Sequence, residues 1–101
     1  MTVPAFSPLP LDFHARIPCD EAFGVVVAEL AGRLARVAGF DERRCAVIGK
    51  EVGDAFARTL EGGRSPRELM ELALRVTEDA YGATVTCGSS SLLSLNWPRP
   101  A

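Results

Sequence analysis

The stretch Asp20–Glu61, DEAFGVVVAELAGRLARVAGFDERRCAVIGKEVGDAFARTLE, decides the fold. Its Phe23, Val26, Val27, Leu30, Leu34 and Val37 recur at the three- and four-residue spacing that gathers apolar side chains on one side of a helix. Asp20 supplies an N-cap oxygen and Glu21 suits the positive end of the helix dipole. Arg33 and Arg36 suit the negative end, and Gly39 adopts without steric cost the left-handed conformation that ends a helix. The spacing predicts a first helix from Glu21 to Ala38. A second start follows at Asp41, where Cys45, Ile48, Val52, Ala55, Phe56, Thr59 and Leu60 trace one face and Gly62 and Gly63 provide a stop. The second helix is therefore predicted from Glu42 to Glu61. Within it Gly49 and Gly53 share a ridge, each costing roughly 0.5 to 1 kcal/mol relative to Ala. Close packing against another element explains such a cost; a dimer face or a ligand lying on the backbone would also explain it.

The flanking segments alternate instead. Before the helices, Leu11, Phe13, Ala15 and Ile17 face one way and Asp12, His14 and Arg16 the other, which is the pattern of a half-buried strand ended by Pro18. After them, Met70, Leu72, Leu74 and Val76 alternate with Glu71, Ala73, Arg75 and Thr77. Glu78, Asp79 and Ala80 read as a turn, and Tyr81, Ala83, Val85 and Cys87 as the return strand of a hairpin. A turn at Ser89–Ser91 leads to a last strand through Leu93, Leu95 and Trp97, ended by Pro98. The order β-α-α-β-β-β defines an α+β two-layer sandwich, with two helices on one face of a mainly antiparallel sheet and the other face partly wet. The expected divisions are an irregular arm at 1–10, carrying Pro4, Pro8 and Pro10, a single domain at 11–97, and a frayed tail at 98–101.

Composition narrows the function classes. With 101 residues, 48% hydrophobic and 24% charged, the chain is sized and composed for one core. It is expected to fold unaided or as a dimer. A net charge of −2 argues against a nucleic-acid binder, since such proteins concentrate cations on one face. Arg33, Arg36, Arg43 and Arg44 form a local basic cluster, but Glu29, Asp41 and Glu42 lie among them, so the cluster reads as solvated surface. Cys19, Cys45 and Cys87 are odd in number and have no CxxC spacing, so buried reduced thiols are expected. No secretory signal is recognised, and no apolar run approaches the ~20 residues that span a bilayer. A cytoplasmic protein is expected.

The residues alone assemble no complete catalytic or metal site. His14 alternates with apolar neighbours and is expected to face solvent, with no second His to complete a metal set. Ser89, Ser90 and Ser91 lack a GxSxG setting, and neither a GxxxxGK[ST] nor a GxGxxG loop is present. The polar stripe on the second helix is more informative: Glu51, Asp54 and Arg58 stand at i, i+3 and i+7, with Lys50 beside them. As surface chemistry it is a solvated face with an Asp54–Arg58 pair at i, i+4, contributing about 0.3 to 0.5 kcal/mol. As site chemistry it is a carboxylate pair that activates water or holds a divalent cation beside a phosphate.

At this helix the chain resembles the anti-sigma-factor serine kinases of the GHKL (Bergerat-fold) ATPase superfamily. The resemblance covers Ile17 to Arg58: a strand, a long helix ending in Ala38-Gly39-Phe40-Asp41, then a helix carrying Ile48-Gly49-Lys50-Glu51-Val52-Gly53-Asp54-Ala55. In that family the second helix bears Glu, two spacers, Asn and Ala, where Glu is the general base and Asn binds the magnesium ion of ATP. The resemblance implies Glu51 as the base, Asp54 in the Asn position as the magnesium and nucleotide contact, and Arg58 beside them. The family's adenine-contacting Asp-x-Gly-x-Gly is missing, because Asp79-Ala80-Tyr81-Gly82 has another spacing, and no lid segment is recognisable. The expectation is thus a non-catalytic, protein-binding regulator on a reduced scaffold, with no cofactor. Its partners by resemblance are a sigma factor or an anti-sigma-factor antagonist, and family members often dimerise. The alternatives are an active Mg-ATP-dependent serine kinase using Glu51 and Asp54, and a small structural or dimeric accessory domain.

Overall fold

The computed structural model describes residues 9–61 and 67–100. The residues of the expected arm before Leu9, and the Gly62-Gly63 stop, lie outside the described residues. Four strands, β1 (Leu11–Pro18), β2 (Leu69–Val76), β3 (Ala80–Cys87) and β4 (Ser90–Pro98), form one antiparallel sheet in the order β1-β2-β3-β4. Between β1 and β2 the chain makes a single 3-10 turn at Glu21–Phe23 and two helices, α1 (Gly24–Val37) and α2 (Glu42–Leu60). The α+β two-layer architecture expected from the alternation is the one observed.

The alternation works because one register buries every apolar set at once. On β2, Met70, Leu72, Leu74 and Val76 are all buried, and their β3 neighbours Tyr81, Ala83 and Val85 continue that layer. Val27, Ala31 and Ala35 of α1 and Ile48, Val52 and Phe56 of α2 close the core from above. The opposite face carries Asp12, His14, Arg16, Glu71 and Arg75, which stay in water, with Asp12 and Arg75 3.5 Å apart and His14 3.5 Å from Glu71.

Capping residues act as expected, with one difference. Asp41 accepts from the Arg44 amide at 2.8 Å and starts α2. Asp20 accepts from the Ala22 amide at 2.9 Å, but it caps the 3-10 turn, so α1 itself begins at Gly24 rather than Glu21. At the other end Gly39 has φ +99, and the Phe40 amide reaches back to Ala35 O while the Gly39 amide reaches Arg36 O. This is the double-bonded C-terminal turn that needs a left-handed residue in that place. The β2–β3 turn falls one residue earlier than expected, and the last hairpin turn is one residue shorter. The β2–β3 connection closes when the Thr77 amide donates to Ala80 O (2.9 Å), and the last hairpin turns at Gly88 and Ser89, where Gly88 has φ +61. Strand β4 therefore starts at Ser90, and a bulge opposite Val85 and Thr86 takes up Leu92 so that Leu93, Leu95 and Trp97 regain the core face.

Three expectations need correction. The tail is not frayed: Arg99 Nε donates to Ala38 O (2.7 Å), its Nη1 donates to Thr77 O (3.0 Å), and its amide donates to Asp79 O (3.0 Å). A guanidinium fork satisfies carbonyls that a helix end and a turn otherwise leave to water. Of the cysteines, all free, only Cys19 is buried, because Cys45 and Cys87 stand at the margins of the helix pair and the sheet. The third concerns the Asp54 pairing and belongs to the site.

The core also holds a polar group. Tyr81 is fully buried between Phe40 and Trp97, with ring centroids 6.4 and 5.5 Å away, and its hydroxyl donates to Ala31 O at 2.7 Å. Burial pushes this phenol well above its ordinary range, so the hydroxyl stays protonated far into alkaline solution.

Candidate functional site

The polar stripe on α2 does not converge on one space. Glu51 leans toward β4, where its Oε2 accepts from Trp97 Nε1 at 3.1 Å. Trp97 is buried at the edge of the core, and this bond ties the end of β4 to the middle of α2. Asp54, one turn further on, turns the other way. Its Oδ2 lies 2.9 Å from Lys50 Nζ, so the expected Asp54–Arg58 pair is replaced by Lys50–Asp54, using the neighbour one turn before instead of the one after. Arg58 is exposed.

Asp54 and Lys50 instead line an open groove of about 1110 Å3 that runs along the seam between α1 and α2. Gly24, Ala28, Gly32, Gly49 and Gly53 form its floor, and Glu29 and Arg33, paired at 3.0 Å, face Lys50 and Asp54 across it. Neither Glu51 nor Arg58 is among its lining residues. The floor also explains the glycine pair. A Cβ at position 49 would stand 2.7 Å from Ala28 O, and one at position 53 would stand 3.0 Å from Ala28 Cβ. At position 49 the helices approach so closely that only glycine fits, at position 53 a Cβ would force Ala28 to give, and this close packing within the chain offsets the helix-propensity cost.

The remaining titratable groups add little chemistry. The Cys45 thiol, donating to Phe40 O at 3.4 Å, is raised by burial against the opposing field of Arg36, which makes it a poor nucleophile. Arg44 lies over the Phe40 ring at 5.9 Å and is otherwise surface. Among the described residues no group of three or more His, Cys, Asp or Glu side chains is placed to hold a metal ion, and no helix is long and apolar enough to cross a membrane.

Residues missed by spacing alone are Trp97, Tyr81 and Arg99, each of which makes a bond across more than forty positions. Only Trp97 and Tyr81 carried a hint, because a large aromatic with a polar atom on a core face needs an acceptor nearby. No protein-family model matches the chain, and no curated protein matches it significantly. The geometry defines a small two-layer α+β domain in which Glu51 bonds the Trp97 indole and Asp54 pairs with Lys50 on the exposed side of α2.

Proposed function

We propose that this chain is a non-catalytic regulatory module that acts by binding another protein in the cytoplasm, on a scaffold resembling a reduced anti-sigma-factor kinase. The observation that carries the reading is the separation of Glu51 from Asp54. A general base and a magnesium ligand must address one phosphate chain, whereas Glu51 is held by the Trp97 indole and Asp54 by Lys50 in a groove that Glu51 does not line. The residues present do not fit Mg-ATP in the manner the resemblance implies. A sigma factor or an anti-sigma-factor antagonist is the partner class that the same resemblance suggests.

Two substitutions at one position test this. Glu51→Gln keeps an acceptor for the Trp97 N–H and removes the base; Glu51→Ala removes both. We expect Glu51→Gln to keep near-wild-type stability and Trp97 fluorescence and to complement a deletion of the gene. Glu51→Ala is expected to lose about 1 to 3 kcal/mol, because a largely buried donor is left without its partner. A folded Glu51→Gln protein that fails to complement would reinstate Glu51 as a base and overturn the proposal.

A further inference from the structure

Strand β4 ends the sheet order and is hydrogen-bonded, among the described residues, to β3 alone. Edge strands are ordinarily kept from pairing by charged side chains, prolines or bulges within the strand. From Ser90 to Trp97 β4 holds no charged residue and no proline, and its protection stands toward its ends, as the bulge at Leu92 and Pro98. Between them Leu93–Trp97 is a regular edge whose outward N–H and C=O groups meet no other described strand. The segments adjoining β4 are both described: Gly88 and Ser89 make the hairpin turn, and Arg99 turns inward to Ala38 O and Thr77 O.

The side chains of this edge define what can lie beside it. Leu93 and Leu95 face the helices and are only partly buried, while Ser94 and Asn96 are exposed on the wet face. Helix α2 runs over β4 in the opposite direction. Thr59 Oγ1 lies 3.8 Å from Met70 Sδ at the start of β2, the strand with the same direction as β4, and Glu51 meets Trp97 near the end of β4. Arg58 follows Glu51 by seven residues, so it lies on the same line of the helix, about 10 Å nearer the start of β4. At about 3.3 Å per strand residue that is the level of Leu93 and Ser94. Arg58 is exposed and makes no ion pair among the described residues, so this end of the edge presents an uncompensated cation.

We propose that the β4 edge takes up an extended segment of a partner protein as a fifth, antiparallel strand, with an acidic side chain of that segment set against Arg58 and apolar ones beside Leu95 and Trp97. Backbone pairing along Leu93–Trp97 supplies the affinity, and the alternate side chains supply the selection. Strand β4 has no carboxylate of its own to set beside Arg58, so the complement is a different sequence. The proposal rests on the reading of this chain as a protein-binding module and names the surface and the kind of segment that module would take.

Fluorescence anisotropy with the fluorescein-labelled peptide TVTVTET tests it, since antiparallel pairing sets its valines beside Trp97 and Leu95 and its glutamate beside Leu93 and Arg58. Saturable binding is expected below about 1 mM peptide. N-methylation of the peptide amides that point at β4 is expected to abolish binding, whereas N-methylation of the alternate set leaves it within about twofold, a contrast that only strand pairing produces. Arg58→Glu is expected to weaken the peptide about fivefold, and the peptide TVTVTKT to recover that loss on the same variant. Circular dichroism confirms that Arg58→Glu folds. No saturable binding to the wild-type chain, equal losses from both methylated sets, or affinities indifferent to the charge exchange would each overturn the proposal. The regulatory reading is judged separately by the Glu51 variants: complementation by Glu51→Gln without peptide binding removes this surface and leaves that reading standing.

Discussion

Replacing Gly49 with valine is expected to lower the unfolding free energy by about 3 kcal/mol, the largest loss foreseen for a one-residue change outside the apolar core. The reason is contact with backbone, which cannot swing away. A Cβ at this position lies 2.7 Å from Ala28 O and 3.6 Å from the Gly32 Cα, so α1 and α2 must move apart or tilt. Such movement disturbs Val27, Ala31, Ile48 and Val52, all buried on the same two helices. Gly49→Ala meets the same oxygen but recovers up to about 1 kcal/mol of helix propensity, so a net loss of about 1 to 2 kcal/mol is expected. Gly24→Ala is the control. There the nearest atom to an added Cβ is Phe56 Cδ2 at 3.9 Å, an ordinary contact, and the unfolding free energy from urea titration should stay within about 0.5 kcal/mol of wild type. Equal effects at positions 24 and 49 would contradict the close helix approach.

The second large effect lies at the far end of the chain. Arg99→Ala is expected to cost about 2 kcal/mol, because one side chain donates to the Ala38 carbonyl at the end of α1 and to the Thr77 carbonyl at the β2–β3 turn. Its positive charge also sits at the negative end of the α1 dipole, which adds a few tenths of a kcal/mol. Lysine cannot make both bonds at their separate angles, so Arg99→Lys is expected to recover only part of the loss. Hydrogen exchange would show the loss locally, as faster exchange of the β4 amides near Trp97 and of the last turn of α1. Unchanged protection in Arg99→Ala would mean that the tail is not docked in solution.

These two positions also mark how far the sequence could be read. Strand and helix identities were legible because each apolar set repeats at the period of its own element: Met70, Leu72, Leu74 and Val76 at two, Ile48, Val52, Ala55 and Phe56 at three and four. The presence of Gly49 and Gly53 was legible as a cost in need of a reason, but not the reason, since nothing in the spacing says that Ala28 lies opposite. Arg99 was illegible for a related cause. Its partners are backbone carbonyls, which every residue carries, so no side-chain pattern marks Ala38 or Thr77 as acceptors.

At the candidate site the gap is one of direction. Glu51 and Asp54 are three apart, which sets them about 60° apart around the helix. That angle suffices to send one toward β4 and the other to the rim of the α1–α2 groove, because the stripe lies on the exposed side of α2, with Glu51 next to the flank that meets β4 and Asp54 next to Lys50. Helical spacing placed both carboxylates on one side of the cylinder, and only the neighbouring elements decide which side chains share a space. The same limit applies to Asp54, for which Lys50 and Arg58 stand at equal sequence distance; the structure joins it to Lys50.

The central proposal, that Glu51 and Asp54 address different neighbours and do not jointly serve a nucleotide, is tested most directly by isothermal titration calorimetry of the protein with magnesium and ATP, alongside Asp54→Ala. The account predicts no saturable heat for either protein at millimolar nucleotide. A magnesium-dependent binding isotherm for the wild-type chain that disappears in a folded Asp54→Ala variant would contradict it.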